Sequence, residues 1–458
     1  MEDRDDELLS RAAEWTSGSP IDFLPQLATL RGELIDRLAP RSEMSGIAKV
    51  DSEVEQVLSE IVEALFVNVR SSTAGVQEVL WEYLDALEND VYSIRAAVNE
   101  YTVVLAATCQ QAASRQMSEV KGIGASLSQL SEIDQRMVFK DVVIDEAARA
   151  NPLDLLVPMA LAERRIVLVG DHRQLPHILE PDVEREIERS VQQETRDQLK
   201  KSLFERLFTD LRNRESRDGI KRTVTLNLQF RMHPVLGKFV SDTFYAPYGE
   251  DFESVKNVGQ FDHGLASYQG KVAAWVDIPI SEGRETGGRT KRRNAEARWI
   301  AAEVRRLALE RPDLSFGVIT FYSGQRDALM RALVELGLAE SGEGGAFEIR
   351  DAWRETTGTR KERLRVGTVD AFQGKEFDVV LLSITRSNEI EPRDQKALRQ
   401  KFGHLMLENR LCVAMSRQQR LLIGVGDAGM FKGDAAEEAV TGLVRFYKLC
   451  GGAHGIRL

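Results

Sequence analysis

Apolar residues recur with three-then-four spacing at Val54, Val57, Leu58, Ile61, Val62 and Leu65, and again at Val76, Val79, Leu80, Tyr83 and Leu87. That is the stripe of a helix with one buried face, so the chain up to about residue 100 is expected as packing helices without chemistry of their own. From Tyr101 the texture changes. Val103–Ala106, Val142–Ile144 and Ile166–Val169 are apolar at every position, which suits strands buried on both faces. A charged stretch from Asp182 to Arg217 predicts helix, and a second series of strands follows at Val272–Val276, Phe316–Ile319, Leu364–Val366, Val379–Ile384 and Leu421–Val425. Helices fit between them, one running from Asn294, expected as its N-cap, to Leu309 ahead of Pro312. Ser281–Arg293 and Ala339–Lys361, rich in Gly and Arg, are expected as insertions or mobile loops. Short buried strands alternating with helices give an α/β fold class with parallel sheets.

The 458 residues are enough for two or three domains. With 72 acidic against 61 basic side chains the net charge is −11, so a nucleic-acid partner has to be gripped by a local basic surface. Cys109, Cys412 and Cys450 lie far apart, which excludes a disulfide framework, an iron–sulfur cluster or a zinc ribbon and suits a reducing cytosol. No apolar run reaches the roughly 18 residues that cross a bilayer, and the start, MEDRDDELL, is acidic. The chain is therefore expected to be soluble and cytoplasmic, with no membrane partner.

Chemistry concentrates in a few strings. Val142-Val143-Ile144-Asp145-Glu146 places two carboxylates at the C-terminal mouth of a buried strand, where open α/β sheets bind ligands. Phosphoryl transfer needs such a pair, one acid for Mg²⁺ and one for the attacking water. Taken alone, the pair reads equally well as a helix cap followed by a first-turn acid. The next strand runs into Gly170-Asp171-His172-Arg173-Gln174-Leu175-Pro176, a second polar cluster at the same sheet edge. Four more strings follow: Leu228-Gln229-Phe230-Arg231-Met232-His233-Pro234, Val318-Ile319-Thr320-Phe321-Tyr322-Ser323-Gly324-Gln325, Gly367-Thr368-Val369-Asp370-Ala371-Phe372-Gln373-Gly374-Lys375-Glu376, and Asn409 to Arg417.

In this order the strings resemble the motor core of superfamily 1 helicases, in the 1B branch of the nonsense-mediated-decay RNA helicase and its bacterial DNA-helicase relatives, over about Tyr101 to Asp427. The resemblance implies two RecA-like P-loop NTPase-type domains, the first incomplete, preceded by a helical insertion. The expected boundaries are 1–100 for the insertion, 101–217 and 218–447 for the two domains, and 448–458 for a tail. It implies ATP and Mg²⁺ as cofactors, with Asp145 and Glu146 as the Walker B pair and Asp145 holding the metal through water. Gln174 would sense the γ-phosphate, Arg231 would reach it, and Arg417 would be the arginine finger. Gly170, Asp171, Gln373, Gly374 and Glu376 would line the nucleotide, with Glu376 on its sugar. Thr108, Tyr322, Ser323 and Thr368 would touch the backbone of single-stranded DNA or RNA, with movement from 5′ to 3′. His233 is expected as a structural residue at the turn before proline. The sequence departs from the family at Cys412, usually Asn, and at Gln418, usually small.

One part is missing. No Gly-x-x-x-x-Gly-Lys-[Ser/Thr] string occurs, so the amide cradle, the phosphate lysine and the metal-binding hydroxyl have no counterpart. Gly122, Gly124 and Ser126 form a turn without a following lysine. The expected consequence is an uncovered sheet edge in the first domain, and a requirement for an upstream or partner polypeptide that supplies the phosphate loop. The alternative is a non-enzymatic nucleic-acid-binding remnant or scaffold subunit. A fused nuclease has no support, since no separate acid-and-lysine cluster is present.

Overall fold

The computed structural model describes residues 101–114, 117, 139–175 and 201–458 except 289, 343–345 and 358–360, together with 25–27, 29, 30, 60, 80, 84, 85 and 98. Most of the two expected head helices, the Gly122–Ser126 turn and the first part of the Asp182–Arg217 stretch lie outside the described residues. The chain forms two compact units, residues 1–101 and 102–458. No helix among the described residues is long and apolar enough to cross a membrane.

The second unit begins with a small parallel pair. Strand β1 (Phe139–Ile144) aligns with β2 (Ala162–Leu168), Val142 opposite Ile166 and Ile144 opposite Leu168. The crossover is helix α1 (Pro152–Met159), which Asn151 caps by accepting from Leu153 N–H, with Pro152 at the first helical position where no N–H is needed. Helix α2 (Leu203–Asp218) starts at Ser202, which accepts from Glu205 N–H, and stops at Gly219 in the left-handed conformation. The shared core is small: Ile144, Ala147, Ala148, Leu155 and Phe204.

Two expectations fail in this region. Val103–Ala106 is not a strand, and Val103 is 93% exposed, because the run finds no neighbouring strand to pair with among the described residues. Strands β1 and β2 exist but are not buried on both faces: Val143 is 66% and Ile166 41% exposed.

The remainder is built differently. After the short parallel pair β3 (Leu228–Gln229) and β4 (Glu253–Ser254), which flank α3 (Pro234–Val240), comes a six-stranded sheet. Its members are β5 (Ala273–Asp277), β6 (Phe316–Thr320), β9 (Leu364–Thr368), β10 (Phe377–Ser383), β11 (Gln418–Gly426) and β12 (Gly455–Arg457), in the order β12-β5-β11-β10-β6-β9 with every pairing parallel. The intervening α4 (Asn294–Glu310), α5 (Ser323–Glu335), β7 (Ala339–Ser341), β8 (Phe347–Ile349), α6 (Gln395–Phe402), α7 (Glu408–Ala414), α8 (Asp434–Ala439) and α9 (Thr441–Cys450) complete the element order.

Alternation along the strands divides the core in two. Val379, Leu381, Leu421 and Ile423 face α4 and α5 through Ile300, Leu307 and Leu329, while Val380, Leu382 and Leu422 face α3, α7 and α9 through Phe239, Leu411 and Phe446. All-apolar strands are correct here because both faces are covered.

Three expectations in this part are corrected. The N-cap of α4 is Arg293, one residue before Asn294, and its N–H is taken by buried Gln325. The expected tail contributes the edge strand β12. The two expected loops carry pairing of their own: Thr286 and Arg292 exchange backbone hydrogen bonds at 2.8 and 2.9 Å, and β7 pairs antiparallel with β8.

His233, expected as structural, caps α3 by accepting Val235 N–H on Nδ1 at 3.1 Å. An imidazolium cannot accept there. Burial lowers its pKa from the ordinary 6.5, helped by His454 and His263, and burial with Arg410 and Arg386 lowers that of His404. The unfolded chain therefore binds protons first. Both residues leave stability untouched above about pH 6.5 and erode it as pH falls below that value towards their lower folded pKa. Denaturant midpoints are expected to drop between about pH 7 and pH 5.5, less steeply in His233→Asn, whose amide oxygen can still cap. A midpoint flat across that window contradicts the assignment.

Candidate functional site

The acidic pair sits where β1 ends. Residues 145–150 form turns, and α1 begins only at Pro152 under its own cap Asn151, so Asp145 is not a helix cap. Glu146 has φ +54°, a left-handed conformation that costs a side-chain-bearing residue about 1–2 kcal/mol. The conformation persists because its surroundings hold it: Asp145 Oδ1 accepts Glu146 N–H at 2.8 Å and Val169 O accepts Ala147 N–H at 2.8 Å. Gly170 closes the turn from the other side, since a Cβ there would lie 2.8 Å from Ala148 N. The expectation that Gly170 lines a nucleotide thus has a local packing reason beside it.

From Gly170 the chain enters a loop tied to the six-stranded part. Asp171 Oδ1 accepts Arg173 N–H at 3.0 Å, and its Oδ2 accepts Gln174 Nε2 at 2.7 Å and Tyr245 Oη at 2.6 Å. Arg173 forks onto Glu250 at 2.8 and 3.2 Å and lies over the Tyr248 ring, 3.5 Å from its centroid. Gln174 Oε1 in turn accepts Arg417 Nη2 at 2.9 Å.

Arg417 is 1% exposed, and its acceptors are all neutral: Val413 O at 3.1 Å, Ser416 Oγ at 2.8 Å and Gln174. Burial, then the neighbouring Arg231 charge, pulls its pKa down to about 10, which still leaves it a cation at neutral pH. Arg231 donates to Ser416 O at 3.2 Å and to Glu376 Oε2 at 3.0 Å. Two guanidinium groups thus meet at Ser416, one of them buried without a carboxylate. Such a cation has given up water for weaker partners, and a bound anion would supply the missing charge.

The other expected positions divide. Glu376 pairs with Arg231 through Oε2 and accepts Gln419 Nε2 on Oε1 at 2.9 Å, and its half-exposed carboxylate keeps lone pairs free for a further donor. Gln373 and Gly374 lie in the turn beyond β9, Gly374 at φ +74°. Ser323 opens α5 and Thr368 ends β9, both half-buried. Tyr322, expected at the nucleic-acid backbone, is 4% exposed, its ring lies 5.0 Å from that of His404 and its Oη accepts His404 N–H. Thr108 is exposed, and its hydroxyl bonds Gln111 at 3.3 Å. Sequence reasoning missed Tyr245, Glu250 and Ser416.

Residues 199–429 match a family profile described as an AAA domain, and residues 50–179 match a second profile of the same description. Among curated proteins, a regulator of nonsense transcripts 1 homolog of Neurospora crassa is 28% identical over 67% of this chain and 24% of its own length. The homolog of Drosophila melanogaster is 27% identical over 71% of this chain and 23% of its length, and the ATP-dependent helicase upf1 of Schizosaccharomyces pombe is 26% identical over 71% and 28%. The chain spans about a quarter of the length of the curated relatives it matches.

Proposed function

The chain belongs to the AAA-domain family of superfamily 1 helicases, and from that premise we propose that it is the motor part of an ATP-driven translocase on single-stranded DNA or RNA, moving 5′ to 3′. The observation that carries the proposal is the buried, acid-free Arg417 held by Gln174 across the seam. In this reading residues 101–217 belong to a first RecA-like domain and 218–447 to a second.

Asp145 has one oxygen committed to Glu146 N–H and can offer the other towards Mg²⁺, directly or through water. Glu146 takes the proton of the attacking water. Mg²⁺-bound ATP, when present, supplies the phosphoryl group and most of the charge that the site must balance. Arg417 exchanges Gln174 Oε1 for phosphate oxygens, so that Gln174 senses the phosphate through the bond it gives up, and Arg231 exchanges Glu376 for the same group. Those exchanges tie the loop after β2 to the second domain, which carries Ser323 and Thr368 towards the nucleic-acid backbone.

The phosphate loop itself comes, in this proposal, from an upstream or partner polypeptide segment. The exposed faces of β1 and β2 support that requirement, because parallel strands are normally covered on both sides. They also favour a second reading, a nucleic-acid-binding remnant without turnover. The two separate on one experiment: ATP hydrolysis with and without single-stranded DNA or RNA, by the chain alone and by the chain joined to that segment. Stimulated hydrolysis only in the joined protein, with unwinding of duplexes bearing a 5′ overhang, is the expected result. Hydrolysis by the chain alone removes the requirement for the segment; none in either removes the motor.

A further inference from the structure

One line of hydrogen bonds runs through the seam. Cys412 Sγ donates to Tyr245 Oη at 3.5 Å, Tyr245 Oη donates to Asp171 Oδ2 at 2.6 Å, Gln174 Nε2 donates to the same oxygen at 2.7 Å, and Gln174 Oε1 accepts from Arg417 at 2.9 Å. We propose that Tyr245 is a positioning residue which, through Asp171, holds the Gln174 amide with its oxygen towards Arg417 and so places the guanidinium that would meet a phosphate. The inference rests on the motor reading only for its catalytic consequence.

An amide is nearly symmetric in shape and opposite in chemistry at its two ends. With Nε2 held by Asp171, the oxygen has to face the guanidinium; turned over, the NH₂ would point its hydrogens at a cation and the oxygen at a carboxylate. Asp171 therefore decides the orientation, and its own rotation decides whether it can. Oδ1 is occupied by Arg173 N–H within the loop, whereas Oδ2 is steadied from outside the loop by Tyr245.

The tyrosine is suited to this. Its ring packs edge-on against Phe252 at 5.2 Å, and burial raises its pKa well above the ordinary phenol value, so it remains a donor. Behind it, burial pushes the Cys412 thiol up to about 12, so the thiol also keeps its proton and completes the acceptor side of the phenol. At this position the family usually has Asn, and the thiol shows how the departure is accommodated.

Tyr245→Phe removes one oxygen and leaves the ring. Tyr268→Phe is the matched control: its Oη also donates to a carboxylate, Glu303, at 2.7 Å, but far from the seam in the core facing α4. In hydrogen exchange on the full chain, Tyr245→Phe is expected to speed the Arg173 and Gln174 amides by about tenfold, the scale of one lost hydrogen bond to a charged acceptor. Tyr268→Phe should leave them unchanged. In the chain joined to its phosphate-loop segment, Tyr245→Phe is expected to lower kcat about tenfold with KM for ATP nearly unchanged, because Gln174 is disturbed and not removed. Unchanged exchange at 171–175, or a rise spread over the whole chain in both variants, overturns the positioning role and leaves the motor reading standing. Local exchange rising while the joined wild type hydrolyses no ATP sinks the motor reading and confines Tyr245 to holding the loop.

Discussion

Arg417→Ala is expected to reduce nucleic-acid-stimulated ATP turnover by about 10³-fold or more in the chain joined to its phosphate-loop segment, the range lost with an arginine finger. The loss should fall on kcat, since charge on the transferred group develops most fully in the transition state. Arg417→Lys should recover little of it. The guanidinium reaches Val413 O from Nε and both Ser416 Oγ and Gln174 Oε1 from Nη2, and a single ammonium cannot reproduce that planar spread. The fold should survive either change, because the partners left behind are neutral and no buried carboxylate is orphaned. Affinity for single strands should remain, as Ser323 and Thr368 are untouched. Turnover within about tenfold of wild type, measured beside an unchanged unfolding midpoint, would take Arg417 out of the chemistry.

How far the sequence reached follows from what each feature depends on. Strands β10 and β11 were visible because an all-apolar run and a fully covered sheet are two statements of one fact. Val103–Ala106 has the same composition and fails, since a strand also needs a neighbour and periodicity carries no information about neighbours. β12 shows the converse: Gly455-Ile456-Arg457 has too little pattern to announce itself, and becomes a strand only by lying beside β5. The acidic pair was legible because strand, mouth and carboxylates are adjacent in sequence. Gln174 and Arg417, 243 residues apart, could be paired only through the order of family motifs. Tyr322 and Tyr245 mark the limit of that approach. The first stands in a string that suggests a nucleic-acid contact, and nothing in that string announces the His404 ring packed 5.0 Å away. The second follows Phe244 in what looks like core, yet its hydroxyl reaches Asp171.

Glu146 separates stability from chemistry more cleanly than any other position. Glu146→Gln keeps the side chain's length and the backbone's φ of +54° but cannot accept a proton, so turnover in the joined protein should fall by about 10²- to 10⁴-fold while ATP and single strands still bind. Glu146→Gly should be as inactive yet should tolerate heat or denaturant better, because glycine adopts this φ without the roughly 1 kcal/mol that a Cβ incurs there. Its greater freedom in the unfolded chain offsets part of that gain, so the increase should be small and its sign is the informative quantity. An inactive variant that is more stable than its parent would mean that the strained turn is maintained for the carboxylate it presents. If Glu146→Gly lost stability and Glu146→Gln kept full turnover, the turn would be ordinary loop geometry, and the attacking water would have to be deprotonated by a group other than Glu146.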